Sequence, residues 1–344
     1  MRHVARSLIT SCAVLFSFVA QAEDRTLYVA GYGGSFEAVL RKSVFPAFEQ
    51  AHHVHIAYVS GNSTDTLAKL QAAHGHPDID VAIVDDGPMY QALSLGFCDT
   101  LRPGPHSADL YDVARIGADA VAFGIVGIGI GYNTEAFRKQ GWAPPTSWAD
   151  LADPKYRGKL AMPGIDNTYG LEALLMYARI AGGGIDDIEP GFRYMADRIA
   201  PNMDAFESSP GRMSELYQSG EIVAAVWGTS RVMALAGSGF PVRFVYPAEG
   251  TPALFITACT VKGARNSDDA QAFIDTLLSP GVQTALAMET GSGPVNKTVT
   301  LPDTRPEALP YGAEAVGRLV KFDWAKINPQ RDAWTKQWNR QVER

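Results

Sequence analysis

Leu27-Tyr28-Val29-Ala30-Gly31-Tyr32-Gly33-Gly34-Ser35-Phe36-Glu37-Ala38-Val39-Leu40 passes from a strand, through a glycine-rich turn, into a helix. The first four residues are apolar or aromatic, which suits a buried strand. Pro46 breaks or restarts the helix that follows, because a proline in a helix interior removes a hydrogen bond and clashes with the preceding turn. The unit then recurs. Val54–Val59 reads as a strand, Ser60-Gly61-Asn62-Ser63 as a turn and Thr64–Ala73 as a helix. Ile79–Val84 is a third strand, and Asp85-Asp86-Gly87-Pro88 opens a third helix through Leu95, with Pro88 suited to its first turn. Three strand–helix units in series predict an α/β fold with a mostly parallel sheet.

Phe123–Tyr132 is long, apolar and rich in glycine, as expected of a segment that crosses between two halves of a molecule. The α/β pattern resumes beyond it. Lys159–Met162, Ile222–Trp227 and Val242–Tyr246 read as strands, and Leu171–Ala181 and Arg231–Ala236 as helices. Leu254–Val261 is a strand long enough to cross back, Ser267–Leu278 a helix, and Pro302–Arg344 a set of helices joined by proline-rich turns. Two crossings between two α/β lobes would leave a cleft between them. The expected division is 23–126 with about 258–305 in the first lobe, and 127–257 with about 306–344 in the second.

At the N-terminus, Met1–Arg6 is basic, Ser7–Ala20 is largely apolar, and Ala20-Gln21-Ala22 is a small-x-small site. That is the layout of a cleaved export signal over 1–22. Cys12 lacks the preceding small residue that a lipid-anchoring site requires, so the exported chain is expected to be periplasmic and free of an anchor. Cys98 and Cys259 remain after cleavage. Their apolar settings suit buried free thiols, and whether they meet in a bridge stays open. The composition, 46% hydrophobic and 19% charged, is that of a globular protein. Without Arg2 and Arg6 the chain has 28 basic against 37 acidic residues, a net of −9, which argues against nucleic acid as a partner.

Trp148-Ala149-Asp150-Leu151 followed by Pro154-Lys155-Tyr156-Arg157-Gly158-Lys159 resembles a segment of the periplasmic solute-binding proteins of ABC importers, and among them the spermidine/putrescine-binding proteins. Gly33-Gly34-Ser35, Gly220-Glu221-Ile222, Val226–Ser230, Tyr246–Gly250 and Gly293-Pro294-Val295-Asn296 match in order, so the resemblance covers nearly the whole exported chain. It implies the two-lobed periplasmic binding protein fold, with crossover strands as a hinge that closes on a small ligand. It also implies a monomer without cofactor or catalysis, and a membrane permease as partner.

In open α/β sheets ligands bind beyond the carboxyl ends of the strands. The candidate ligand-binding residues are therefore Tyr32, Ser35, Asn62 and Asp86 from the first lobe. Asp166, Asn167, Thr168, Trp227 and Arg231 come from the second, and Phe255 and Thr257 from the returning strand. The turns at Ser35 and Asn62 offer free backbone N–H groups to an anion, or simply cap their helices. Trp227 matches a tryptophan that packs on the ligand in the polyamine binders, and equally suits a core. Arg231 lies in the first turn of a predicted helix, where a cation is unfavourable unless an anion compensates it, whether from a ligand or from a structural acid. The polyamine binders carry an aromatic-x-Asp in the returning strand; the aligned residues here are Phe255-Ile256-Thr257, so that acid is missing. Asp85, Asp86 and Asp166 could still meet an amine. A zwitterion, organic acid or phosphonate thus fits better than a polyamine.

Other readings are weaker. Phe36 occupies the third glycine position of a dinucleotide loop. His52, His53, His55, His74 and His76 could capture a metal but lie away from the predicted cleft. No tyrosine pair of the ferric-ion binders occurs. A secreted enzyme acting on a small carboxylate would need a nucleophile or metal motif, and no G-x-S-x-G or H-E-x-x-H is present.

Overall fold

A computed structural model describes residues 25–73 and 77–343. The expected export signal, His74 and His76 lie outside the described residues. The first lobe begins with β1 (Arg25–Gly31), α1 (Ser35–Ser43), α2 (Phe45–His52), β2 (Val54–Ser60), α3 (Ser63–Ala72), β3 (Val81–Asp85) and α4 (Asp86–Ser94). Pro46 sits in the first turn of α2, where its missing N–H has no partner to lose. β1 pairs in parallel with β2 and β3, as the three strand–helix units require.

β4 (Arg115–Ile116) leads into the 14-residue β5 (Ala120–Asn133), which is shared between two sheets. Its first half, from Val121 to Gly127, pairs antiparallel with β10 (Ala253–Thr260), and β10 pairs in turn with β3. Its second half, from Ile128, pairs with β8 (Ala224–Gly228) and β9 (Val242–Val245). The strand is buried almost throughout, because helices and neighbouring strands cover both faces. Its glycines answer close approaches. A Cβ at Gly129 would stand 2.5 Å from the Val245 carbonyl oxygen, so only glycine admits β9 there.

The second lobe holds α5 (Thr134–Gln140), β6 (Leu160–Met162), α6 (Thr168–Ile180), α7 (Glu189–Tyr194), β7 (Met203–Phe206), α8 (Pro210–Ser219) and α9 (Thr229–Gly237). β6 pairs in parallel with β7 and β8. Strand order across the molecule is β2-β1-β3-β10-β5-β8-β6-β7. After β10 come α10 (Ser267–Leu277), α11 (Pro280–Thr290), α12 (Ala313–Arg318), α13 (Trp324–Ile327) and α14 (Arg331–Gln341). An apolar core runs through both lobes, from Leu27, Phe36 and Phe123 to Trp148, Leu174 and Trp338.

Two features depart from the sequence reading. Cys98 and Cys259 form a disulfide, with Cα atoms 5.8 Å apart across 161 residues of chain. The apolar surroundings that suggested free thiols are the packed contact between the segment after α4 and β10. The returning strand lies wholly in the first sheet, so the second crossing occurs ahead of it, between β9 and Ala253.

Candidate functional site

The cleft lies where the carboxyl ends of β1, β2, β3, β6 and β8 face one another, and it encloses about 640 Å³. Five helices begin at its wall. α1 contributes Gly34 and Ser35, and α3 contributes Asn62 to Thr64. α6 contributes Asn167 to Tyr169, α8 contributes Ser209 to Gly211, and α9 contributes Ser230 and Arg231. Each helix start carries partial positive charge and N–H groups without intrahelical partners, so the five together make the cleft favourable for an anion.

The five starts differ in what occupies them. Asn62 Oδ1 accepts from the Asp65 N–H at 2.8 Å, and Asp65 returns the bond to the Asn62 N–H, a capping box that satisfies α3. Asn167 caps α6 through the Tyr169 N–H at 3.0 Å, and Ser209 caps α8. α1 and α9 have no side-chain cap. Glycine precedes each of them, Gly34 with φ 70° and Gly228 pressed against Tyr169 and Val126. One open start therefore comes from each lobe.

Arg231 is in the first turn of the open α9. Among the described residues it makes no ion pair with a carboxylate. Its guanidinium lies beside the Tyr169 hydroxyl, which burial pushes up and Arg231 pulls back. A half-buried cation at the positive end of a helix, with no ion pair among the described residues, is a candidate group for an anion.

Asp85, at the end of β3, is one of the carboxylates that line the cleft. The Tyr32 hydroxyl donates to its Oδ1, and Thr168 Oγ1 reaches Oδ2 from the other lobe at 2.7 Å. Burial raises its pKa, while the bonds from Tyr32, Thr168 and Ser63 and the charge of Arg231 lower it. The Thr168 bond joins the two lobes directly beside the ligand space. Asp166 and Glu207 also line the cleft; the Ser208 hydroxyl donates to Asp166 Oδ1 at 3.4 Å and the Ser209 N–H to Glu207 Oε1 at 2.6 Å.

Of the candidate residues, Tyr32, Ser35, Asn62, Asp166, Asn167, Thr168, Trp227 and Arg231 line one cavity. Asp86, Phe255 and Thr257 do not. Successive residues along the returning strand point to opposite faces, and at the junction of β3 and α4 the chain presents Asp85 and turns Asp86 away, so in both places a neighbour of the expected residue lines the cavity. Asp86 turns inward and accepts from Trp324 Nε1 at 2.7 Å, leaving Asp85 on the cleft. Phe255 packs in the core and Thr257 donates to the Val84 carbonyl at 2.6 Å, while Leu254 and Ile256 reach the ligand space. The cleft-facing position of the returning strand is thus apolar. Trp227 is 3% exposed and stacks on Tyr217, so its core role is large and only its edge meets the cleft. The reading of sequence missed Glu207, Ser208, Ser209, Tyr169, Thr290 and Ser292. Ser209-Pro210, a capping serine before an N-terminal proline, was the available signal for a helix start at the wall.

The family model for bacterial extracellular solute-binding proteins matches residues 44–310. The chain belongs to this family. A gamma-aminobutyric acid-binding protein of Pseudomonas aeruginosa is 23% identical over 95% of this chain and 96% of its own. A Salmonella typhimurium protein named as a candidate 2-aminoethylphosphonate-binding periplasmic protein is 23% identical over 87% and 86% of the two chains. The crystal structure of an ABC transporter protein from Clostridium perfringens, 28% identical, superposes with a TM-score of 0.74 over 92% of this chain and 99% of that one. The protein is a substrate-binding component of an ABC transporter, and the family and its structural neighbours are transport components.

In this solute-binding protein, several of the motifs that carry the family likeness make internal structural bonds. Ser147 Oγ and the Trp148 N–H donate to the Glu249 carboxylate, and Trp148 Nε1 donates to the Gly250 carbonyl at 2.9 Å. Asn296 Nδ2 donates to the Leu278 carbonyl. None of these bonded residues lines the cleft, whereas the motifs Gly33-Gly34-Ser35 and Val226–Ser230 reach it through Ser35, Trp227 and Ser230. The described histidines do not line the cleft. His52 stacks on Phe48 and His55 Nδ1 contacts Glu49 at 3.0 Å, and no cluster of three metal-ligating groups occurs among the described residues.

Proposed function

We propose that this protein captures a small amino acid-like zwitterion with a carboxylate or phosphonate at one end, and returns it unchanged to a membrane permease. The observation that carries this reading is Arg231, without an ion pair among the described residues, in the first turn of α9 and lining the same cleft as the open start of α1. The acidic end of the solute would accept from the guanidinium fork and from the backbone N–H groups of both helices, one from each lobe. Its ammonium would lie toward Asp85, Asp166 and Glu207. Two relatives named for ω-amino compounds, gamma-aminobutyric acid and 2-aminoethylphosphonate, support the same chemistry. A simple polyamine has nothing to offer Arg231. Because the solute would touch both lobes, it would favour a closed arrangement, as would the Thr168–Asp85 bond between them.

The site would comprise Tyr32, Ser35, Asn62, Asp85, Asp166, Asn167, Thr168, Trp227 and Arg231. The strand pairing supports a first lobe of residues up to about 126, rejoined from about 253, with the C-terminal helices resting on both lobes. Export with cleavage after Ala22 and a monomeric state complete the proposal.

A phosphorylated sugar is the second reading. It is favoured by a volume of about 640 Å³ and by the hydroxyls of Ser60, Ser63, Ser208, Ser230 and Ser292 around it. A thermal-shift panel of 4-aminobutyrate, 2-aminoethylphosphonate, hexose phosphates, organic acids and polyamines separates these. A ligand at a hundredfold excess over its Kd adds about 2.7 kcal/mol of stability. A shift with the zwitterions supports the first reading, a shift with hexose phosphates alone supports the second, and a shift with polyamines alone overturns both.

A further inference from the structure

Thr290 ends α11, Gly291 turns the chain at φ 74°, and Ser292 follows. Both hydroxyl residues line the cleft, and both are buried, Thr290 at 4% and Ser292 at 2% exposure. The turn is fixed on either side. The Gly291 N–H donates to the Ala287 carbonyl at 3.2 Å, and Gly293 exchanges two backbone bonds with Ile125 of β5, at 2.7 and 2.9 Å. Ser292 is thus held between the end of a helix and a central strand.

The protons of the two hydroxyls follow from their partners. Thr290 Oγ1 stands 2.6 Å from the Leu286 carbonyl oxygen. Two oxygens that close need a proton between them, and a carbonyl has none, so Thr290 donates. A hydroxyl has one proton. In its second contact, with Ser292 Oγ at 2.9 Å, Thr290 can therefore only accept, and Ser292 is the donor. Ser292 then keeps no proton for a solute, only lone pairs. Tyr32 and Thr168, elsewhere on the wall, spend their protons in the same way on the Asp85 carboxylate.

We propose, resting on the reading of the cleft as a zwitterion site, that Ser292 is an acceptor-only hydroxyl that selects solutes carrying an N–H or O–H donor. Thr290 is the positioning residue that keeps it so. Asp85, Asp166 and Glu207 respond to positive charge, and charge alone does not separate a primary ammonium from a trimethylammonium. Ser292 does, because only the primary ammonium has a proton to give it. A quaternary ammonium would cover its lone pairs and leave them without a donor, which is costly in a buried place. The cavity of about 640 Å³ has room for the extra methyl groups, so the discrimination is one of hydrogen bonding.

Calorimetry with 4-aminobutyrate and its N,N,N-trimethyl derivative tests this, since the two carry the same charges. The wild type is expected to favour 4-aminobutyrate by about tenfold or more, the worth of one hydrogen bond from a charged donor. Ser292→Ala is expected to weaken 4-aminobutyrate by about tenfold and to leave the trimethyl derivative unchanged. Thr290→Val frees the Ser292 proton to turn toward the cleft and is expected to narrow the ratio in the same direction, whereas Thr290→Ser keeps the relay and the ratio. Equal binding of the two probes by the wild type, or an equal effect of Ser292→Ala on both, would overturn the proposal while leaving the zwitterion reading standing. Binding of neither probe would count against the zwitterion reading instead. Neutron diffraction from the ligand-free protein, exchanged into heavy water, then decides Ser292 without any solute. A deuteron between Ser292 Oγ and Thr290 Oγ1, with that of Thr290 on the Leu286 carbonyl, supports the proposal, and a Ser292 deuteron directed into the cleft overturns it.

Discussion

α3 and α9 both start at the wall of the cleft, one in each lobe, and they are finished in opposite ways. At α3, Asn62 and Asp65 satisfy the first N–H groups from within the chain. At α9, a glycine stands in the cap position, no side chain closes the start, and Arg231 adds a full positive charge. α1 resembles α9, and α6 and α8 resemble α3. A closed start is a structural edge to the cleft. An open start leaves backbone N–H groups that the proposed anionic end of the solute would meet.

Three substitutions would break or sharpen that contrast. Arg231→Ala has the largest expected effect, a loss of about 3 kcal/mol of binding, or roughly a hundredfold in Kd for an acidic solute, with the fold intact. Calorimetry reads it directly. Gly228→Ala comes next. A Cβ there would meet the Tyr169 hydroxyl at 2.5 Å and Val126 at 2.8 Å, so the open start of α9 must shift. A loss of about 1.4 kcal/mol, tenfold in affinity, is expected by the same measurement. Asn62→Ala is expected to cost about 1 kcal/mol of stability in urea unfolding and to change affinity least, since its oxygen is already spent on the cap. If Asn62→Ala weakened binding more than Arg231→Ala, the distinction between closed and open starts would be void.

The architecture was legible because it rests on repetition. Strand–turn–helix recurs three times before Leu95, and the glycines of β5 mark a strand that others must approach closely. The place of Arg231 at the cleft wall was legible because a cation in a first helical turn is locally unfavourable and asks for a reason. Asp85 against Asp86, and Ile256 against Phe255 and Thr257, were not. A one-residue change of face exchanges every partner, and only the tertiary structure says which face meets the cleft. The acid pair divides the work of one dipeptide, with Asp85 bonded to Tyr32 and Thr168 at the cleft and Asp86 buried under Trp324. The disulfide was equally hidden, because buried thiols and a buried bridge occupy the same apolar setting. Its loss in Cys98→Ser is expected to cost about 3 kcal/mol in unfolding experiments, a size that ordinary surface substitutions do not reach.

Parallel calorimetric titrations with 2-aminoethylphosphonate, 4-aminobutyrate and putrescine test the central claim most directly. The three share an amine and differ in the acidic end that Arg231 and the two open helix starts are built to hold. Binding of at least one of the two acids, with none of putrescine, is the predicted result. Binding of putrescine with neither acid would contradict the account, and would assign recognition to Asp85, Asp166 and Glu207 instead.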